Sequence, residues 1–126
     1  MTVPLVIVDG ANVVGSVPDG WWRDRRGAAL RLRDALTPIM ENGLTDLAGP
    51  VEVVLVVEGK ARETPPAEGG VRVERADGSG DDKIVDLVRG EAAPRRIVVV
   101  TADRGLRDRV TQLGAEVRGP SSVPRR

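Results

Sequence analysis

The stretch TVPLVIVDGAN at residues 2–12 constrains the fold more than any other part of the chain. Residues 3–8 are almost all apolar and rich in β-branched side chains, in a run too short for an amphipathic helix, which is typical of a strand covered on both faces. Gly10 allows a sharp turn after Asp9, so a carboxylate is expected at the carboxyl end of a buried parallel strand. Asn12 can hold the turn or point its amide at whatever Asp9 binds. A plain turn and a ligand site explain this stretch equally well.

Two further strands are predicted to repeat this pattern. Residues 51–57 (VEVVLVV) form an apolar run that ends at Glu58, and residues 97–101 (IVVVT) form another that precedes Asp103. Each run is therefore followed by a carboxylate at the same end of the expected sheet. The remaining non-helical segments are an edge strand at 71–74, a short last strand at 115–118 and an exposed, proline-containing loop at 60–70.

Helices are predicted between the strands from apolar residues at helical spacing. Residues 13–20 form a loop in this prediction, and Asp19 is a candidate N-cap for the helix that follows it. The predicted helices lie at about 21–36, from Pro38 to about 47, after Ser79, and between Leu106 and Leu113, where Gly114 follows as a C-cap.

The order of these elements predicts a three-layer α/β/α sandwich around a mainly parallel sheet. Right-handed connections place strands one to three in steps across the sheet, and the chain then returns to place strand four beside strand one. The predicted strand order is 3-2-1-4-5. A chain of 126 residues fits one domain, expected at 1–119, with a flexible tail at 120–126.

The residue types that are missing exclude several classes of chemistry. The chain has no cysteine, histidine or tyrosine, which excludes disulfides, zinc–thiolate sites and a Ser-His-Asp triad. Hydrolysis must therefore use carboxylates, with an oxygen-liganded cation such as Mg²⁺ or Mn²⁺. Basic and acidic residues balance at 19 each, so any binding to nucleic acid must come from local patches. With no apolar run of membrane-spanning length and no signal-peptide pattern, a cytoplasmic protein without membrane contact is expected.

The predicted strand order brings three aspartates to one crevice. Asp9 and Asp103 follow adjacent strands, and Asp81 shares the inward face of the helix that begins on the same edge of the sheet. Asp82 points more to the side, so the helical face favours Asp81 as a ligand and leaves Asp82 as the alternative. An acidic first turn favoured by the helix dipole also explains Asp81 and Asp82 without any ligand. Convergent carboxylates favour a bound metal ion, with phosphodiester hydrolysis as the natural reaction and Asn12 orienting the phosphate or a water.

A second group of residues is predicted to contact RNA. The two tryptophans, the only aromatic residues, lie beside arginines just after the first loop, where an exposed ring can stack on a base. The alternative is that at least one tryptophan covers the end of the core. The predicted RNA-binding residues are Trp21, Trp22, Arg23, Arg26, Lys60, Arg62 and Arg104, and for Arg104 a simple ion pair is an equal alternative.

Three motifs together resemble the NYN domain, a branch of the PIN-like nuclease superfamily, and in particular its YacP-like members. They are VDGANVVGS at 8–16, GSGDDKIVDLV at 78–88 and VVVTADRGLRDRV at 98–110. The resemblance implies a PIN-like fold, Mg²⁺- or Mn²⁺-dependent endoribonuclease activity, an acidic site at Asp9, Asp81 and Asp103, and a match of Asn12 to the family asparagine. Ala102 departs from the serine or asparagine that often precedes the family aspartate. Candidates for a fourth acidic residue are Glu58, Asp82 and Asp108.

Other functions fit the sequence less well. A non-catalytic RNA-binding module with the same fold is the first alternative, and the three intact carboxylates argue against it. A phosphatase with an aspartyl nucleophile would usually need a second acid at position 11, which is Ala11. A dinucleotide-binding enzyme is disfavoured because no G-x-G-x-x-G follows the first strand. The expected partner is RNA, free or presented in a ribonucleoprotein particle, and no oligomeric state is predicted.

Overall fold

A five-stranded parallel sheet forms the centre of the computed structural model, which describes residues 3–17, 20–59, 61, 64–65, 70–91 and 95–124. The sheet strands are β1 (Leu5–Asp9), β4 (Glu52–Val57), β5 (Arg72–Arg75), β6 (Ile97–Val100) and β7 (Glu116–Arg118), and β2 (Gly43–Leu44) pairs with β3 (Leu47–Ala48) in a separate hairpin. The order β5-β4-β1-β6-β7 confirms the predicted order 3-2-1-4-5.

Helices cover both faces of the sheet because successive strand residues point to opposite sides. The helices are α1 (Gly10–Gly15), α2 (Arg25–Leu36), α3 (Ile39–Asn42), α4 (Gly80–Gly90) and α5 (Arg104–Gln112). Val6 and Val8 of β1 belong to a core cluster with α1, α2 and α3, whereas Leu5 and Ile7 belong to a second cluster with α4 and α5. The expected three-layer α/β/α arrangement is therefore confirmed.

The first helix is the main departure from the predicted elements. Residues 10–15 form α1 directly after β1, where a loop was predicted at 13–20. The Asp9 carboxylate caps α1 by accepting from the Asn12 backbone N–H at 3.4 Å. Gly10 is required for close packing, because a Cβ at this position would lie 2.5 Å from the backbone oxygen of Val56 in β4.

Two other predicted boundaries were wrong. The helix predicted from about residue 21 is a 3₁₀-helix at Trp21–Arg23, and α2 starts only after Asp24, whose carboxylate accepts from a backbone N–H at 2.9 Å. The helix predicted to about 47 ends at Asn42, because Gly43 has a φ of +72° and begins the hairpin. Within residues 120–124, Pro120–Ser122 form a 3₁₀-helix and Val123 is buried.

Two further results concern parts of the chain outside the sheet. Asp19, the candidate N-cap, lies outside the described residues, as does most of the predicted loop at 60–70. Among the helices that the structure describes, none is long and apolar enough to cross a membrane.

Candidate active site

An open cavity of about 360 Å³ lies where the carboxyl ends of β1, β4 and β6 meet. Parallel strands end at one edge of a sheet, and the strand order reverses direction here, which is where open α/β sheets bind ligands. We call it the acidic cavity; it is lined by Asp9, Ala11, Asn12, Glu58, Ser79, Asp81 and Asp103. The aspartates predicted to converge therefore share one cavity.

Asp9 occupies the most buried position of this group, with 5% of its surface exposed. Its Oδ2 accepts a hydrogen bond from the Thr101 hydroxyl at 2.8 Å, and its Oδ1 accepts from the Asn12 backbone N–H. Burial raises the pKa of Asp9 to about 6, against the two hydrogen bonds that lower it, and the charges of Asp81 and Glu58 raise it further. The hydrogen bonds hold the Asp9 carboxylate in position, and burial disfavours its charged form.

Asn12 and Thr101 tie the two strand ends together. The Asn12 Oδ1 accepts from the Ala102 backbone N–H at 2.9 Å, and the Thr101 Oγ1 accepts from the Asp103 backbone N–H at 3.1 Å. Asp103 in turn caps α5 by accepting from the Leu106 N–H at 2.9 Å. The Asn12 amide oxygen thus holds the loop that carries Asp103, and Thr101 is a positioning residue that sequence reasoning missed. A threonine ending an apolar strand just before an aspartate was the available signal.

Asp81 and Asp82 differ in what they face. Asp81 is half-buried and lines the acidic cavity, and burial raises its pKa, with further increases from the charges of Asp103 and Glu58. Asp82 is exposed and forms an ion pair with Arg109 at 3.0 Å. The geometry thus agrees with the helical-face argument that favours Asp81.

Glu58 is the fourth acidic group of the cavity. Its Oε2 accepts a hydrogen bond from the backbone N–H of Gly80, the first residue of α4. A Cβ at residue 80 would lie 2.8 Å from this oxygen, so the glycine leaves room for the carboxylate. Of the three candidates from sequence, Glu58 lines the cavity, whereas Asp82 and Asp108 are exposed residues outside its lining.

The donor chemistry and the spacing of these groups give different answers for a metal ion. All the candidate ligands are carboxylate oxygens, which suit Mg²⁺ or Mn²⁺, and the described residues that line the cavity include no lysine or arginine to balance them. Within the described part of the chain, however, no three acidic side chains are spaced to hold a metal ion as they stand.

The residues predicted to contact RNA are only partly gathered near the acidic cavity. Trp21 is half-buried, and it lines a neighbouring cavity together with Arg25. Trp22 is 54% exposed, with the Arg23 guanidinium 5.9 Å from its ring centroid. Arg26 and Arg104 are exposed and line neither cavity, and Lys60 and Arg62 lie outside the described residues.

A solved structure is similar to this chain over most of its length. The crystal structure of the W164L mutant of Rae1 (YacP) from Bacillus subtilis superposes with a TM-score of 0.70 at 16% sequence identity, covering 95% of this chain and 72% of that chain. No family model and no curated protein matches the sequence. At this identity the similarity shows the fold alone, so the resemblance to YacP-like proteins is supported at the level of the fold.

Proposed function

We propose that this protein is a metal-dependent endoribonuclease that hydrolyses RNA phosphodiester bonds in the acidic cavity. The observation that carries the proposal is the placement of Asp9, Glu58, Asp81 and Asp103 around one cavity at the switch point of the sheet. Crowded carboxylates destabilise a fold unless a cation shares their site. The resemblance of three motifs to NYN domains, together with the fold shared with a YacP protein, supports RNA as the substrate.

Asp9, Asp81 and Asp103 are the proposed ligands, with Glu58 beside them. When bound, Mg²⁺ or Mn²⁺ supplies Lewis-acid stabilisation of the charge on the phosphate. Other residues of the chain position these ligands. Hydrogen bonds from the Thr101 hydroxyl and the Asn12 N–H orient the Asp9 carboxylate, and the Asn12 side chain fixes the distance between the two strand ends.

A non-catalytic RNA-binding module is the second candidate. The observation that favours it is the spacing of the carboxylates. Among the described residues, no three of them are spaced to hold a metal ion. The two candidates differ in whether the acidic cavity binds a divalent cation at all.

Calorimetric titration with Mn²⁺, up to millimolar concentration, tests the proposal without any knowledge of the RNA. We expect the wild type to bind, and Asp9→Asn, Asp81→Asn and Asp103→Asn each to weaken binding at least tenfold. The matched control is Asp82→Asn, which removes a neighbouring carboxylate of α4 that faces Arg109 instead of the cavity. Thermal unfolding of every variant checks that it is folded.

Two results would contradict the proposal. If the folded wild type binds no Mn²⁺ at millimolar concentration, the metal-dependent mechanism loses its basis and the RNA-binding module becomes the better account. If Asp82→Asn weakens binding as much as Asp81→Asn, the bound ion is held by general acidic charge on α4 and not by the acidic cavity.

A further inference from the structure

A second cavity, of about 340 Å³, adjoins the acidic cavity on the α2 side of the sheet. Its walls are mostly apolar and come from α1, α2 and β4, through Val14, Ala29, Leu32, Leu55 and Val57. We call it the apolar cavity. Protein interiors are normally close-packed, so an open apolar cavity of this size leaves side chains without contacts that a ligand can supply. Concave apolar sites with a few polar groups at the edge are typical of small-ligand binding.

The apolar cavity shares part of its lining with the acidic cavity. Ala11, Glu58 and Ser79 line both of them. The two cavities therefore meet at the Glu58 carboxylate. A ligand that occupies both cavities must have an apolar part for the first and a joined group that binds among carboxylates for the second. A nucleotide has this form, since its flat base is joined through the sugar to a phosphate that a divalent cation can hold among carboxylates.

The rim of the apolar cavity carries two groups that bind flat rings. Trp21 lines the cavity and packs over α1, with its Cζ2 3.8 Å from the position of a Cβ at Gly15. The Arg25 guanidinium lies 5.4 Å from the centroid of the Trp21 ring and also lines the cavity. Indole rings and guanidinium planes are the groups on which proteins stack single-stranded bases.

We propose that the apolar cavity binds one nucleobase of the RNA, in contact with Trp21 and Arg25, and places the adjoining phosphate at the acidic cavity. This inference rests on the proposed ribonuclease function and adds a base-binding position to it. Its consequence is that cleavage favours sites with an unpaired base, because a paired base cannot enter the cavity.

Tryptophan fluorescence tests base binding separately from metal binding and cleavage. The chain has two tryptophans and no tyrosine, so Trp22→Phe leaves Trp21 as its single strong fluorophore. This variant is titrated with adenosine, guanosine, cytidine and uridine in EDTA, and with ribose 5-phosphate as the compound without a base. We expect saturable quenching by at least one nucleoside and none by ribose 5-phosphate.

A cavity-filling variant provides the second arm. In the Trp22→Phe background, Ala29→Leu places a larger side chain in the apolar cavity, and nucleoside binding should weaken at least tenfold. The matched control is Ala35→Leu, on the same helix but outside the lining, which should bind as the parent does. Thermal unfolding and Mn²⁺ titration of both variants check that the fold and the acidic cavity are retained.

The outcomes separate this inference from the proposed function. The inference is overturned if no nucleoside quenches Trp21 saturably, if ribose 5-phosphate quenches equally, or if Ala29→Leu binds as tightly as Ala35→Leu. It is also overturned if hexylamine, an apolar amine with no nucleobase, competes with the best nucleoside at equal concentration. Nucleoside binding without Mn²⁺ binding would support the base-binding cavity and reject metal-dependent cleavage. Mn²⁺ binding without nucleoside binding would reject the base-binding cavity and leave metal-dependent cleavage supported.

Discussion

In the metal-free protein, the stability of Asp9→Asn relative to wild type should be greater at neutral pH than at acidic pH. Burial raises the pKa of Asp9 to about 6 from an unfolded value of 3.8. Below about pH 3 the residue is protonated in both states and adds no pH dependence. Between pH 4 and 6 the unfolded state loses the proton first, so the stability of the wild type falls as pH rises through this window. The loss levels off above about pH 7, where it amounts to about 3 kcal/mol.

The difference between Asp9→Asn and wild type isolates this effect from other groups. Glu116, whose pKa is lowered to about 2 mainly by its hydrogen bond with Arg96, has the opposite pH dependence, with stability lost as pH falls toward its folded pKa, but it is common to both proteins. The asparagine also changes the hydrogen bonds with Thr101 and Asn12, which adds an offset that does not vary with pH.

Urea denaturation in EDTA at pH 4, 5, 6 and 7 measures this difference. We expect the free energy of unfolding of Asp9→Asn, relative to wild type, to increase by about 2.4 kcal/mol from pH 4 to pH 7. Saturating Mn²⁺ at pH 7 should reduce or reverse the advantage, because the wild type binds the ion more tightly. Asp108→Asn, which removes an exposed carboxylate of α5, is the control. A difference that stays constant across this pH range would refute the reasoning.

Three substitutions test how the fold supports the site. Thr101→Val removes the hydroxyl bonded to Asp9, and urea denaturation should show a loss of about 1–3 kcal/mol together with weaker Mn²⁺ binding. Gly10→Ala forces a methyl group against the Val56 backbone oxygen, so the variant should lose at least about 1–3 kcal/mol of stability, measured as a lower melting temperature. Val123→Ala should cost about 2 kcal/mol in urea denaturation, because Val123 is buried, and an unchanged stability would show that the C-terminal segment is not packed as described.

The sheet was predictable because its signals are local. Each buried strand is an apolar run short enough to exclude an amphipathic helix, and the handedness of the connections then fixes the strand order. The carboxylates after β1 and β6 follow directly from that order. The position of Asp81 followed from helical spacing, because its neighbours Ile84 and Val85 face the sheet.

The features missed from the sequence depend on contacts between distant segments. Gly10 is close-packed against β4, about 46 residues further along the chain, so the early start of α1 could not be read from residues 10–15 alone. Glu58 could not be separated from Asp82 and Asp108 until α4 was seen to donate the Gly80 N–H to it. The apolar cavity is formed by three elements that share no motif, so only the packed structure reveals it.

The measurement that tests the central claim most directly is cleavage of a random-sequence pool of single-stranded RNA. A random pool avoids the choice of one substrate, and sequencing of the new ends locates every cut. We predict cleavage by the wild type with Mn²⁺, none in EDTA, and a rate at least about 100-fold lower for Asp103→Asn purified in the same way. Absence of cleavage by wild type that binds Mn²⁺, or equal cleavage by Asp103→Asn, would contradict the assignment of ribonuclease activity to the acidic cavity.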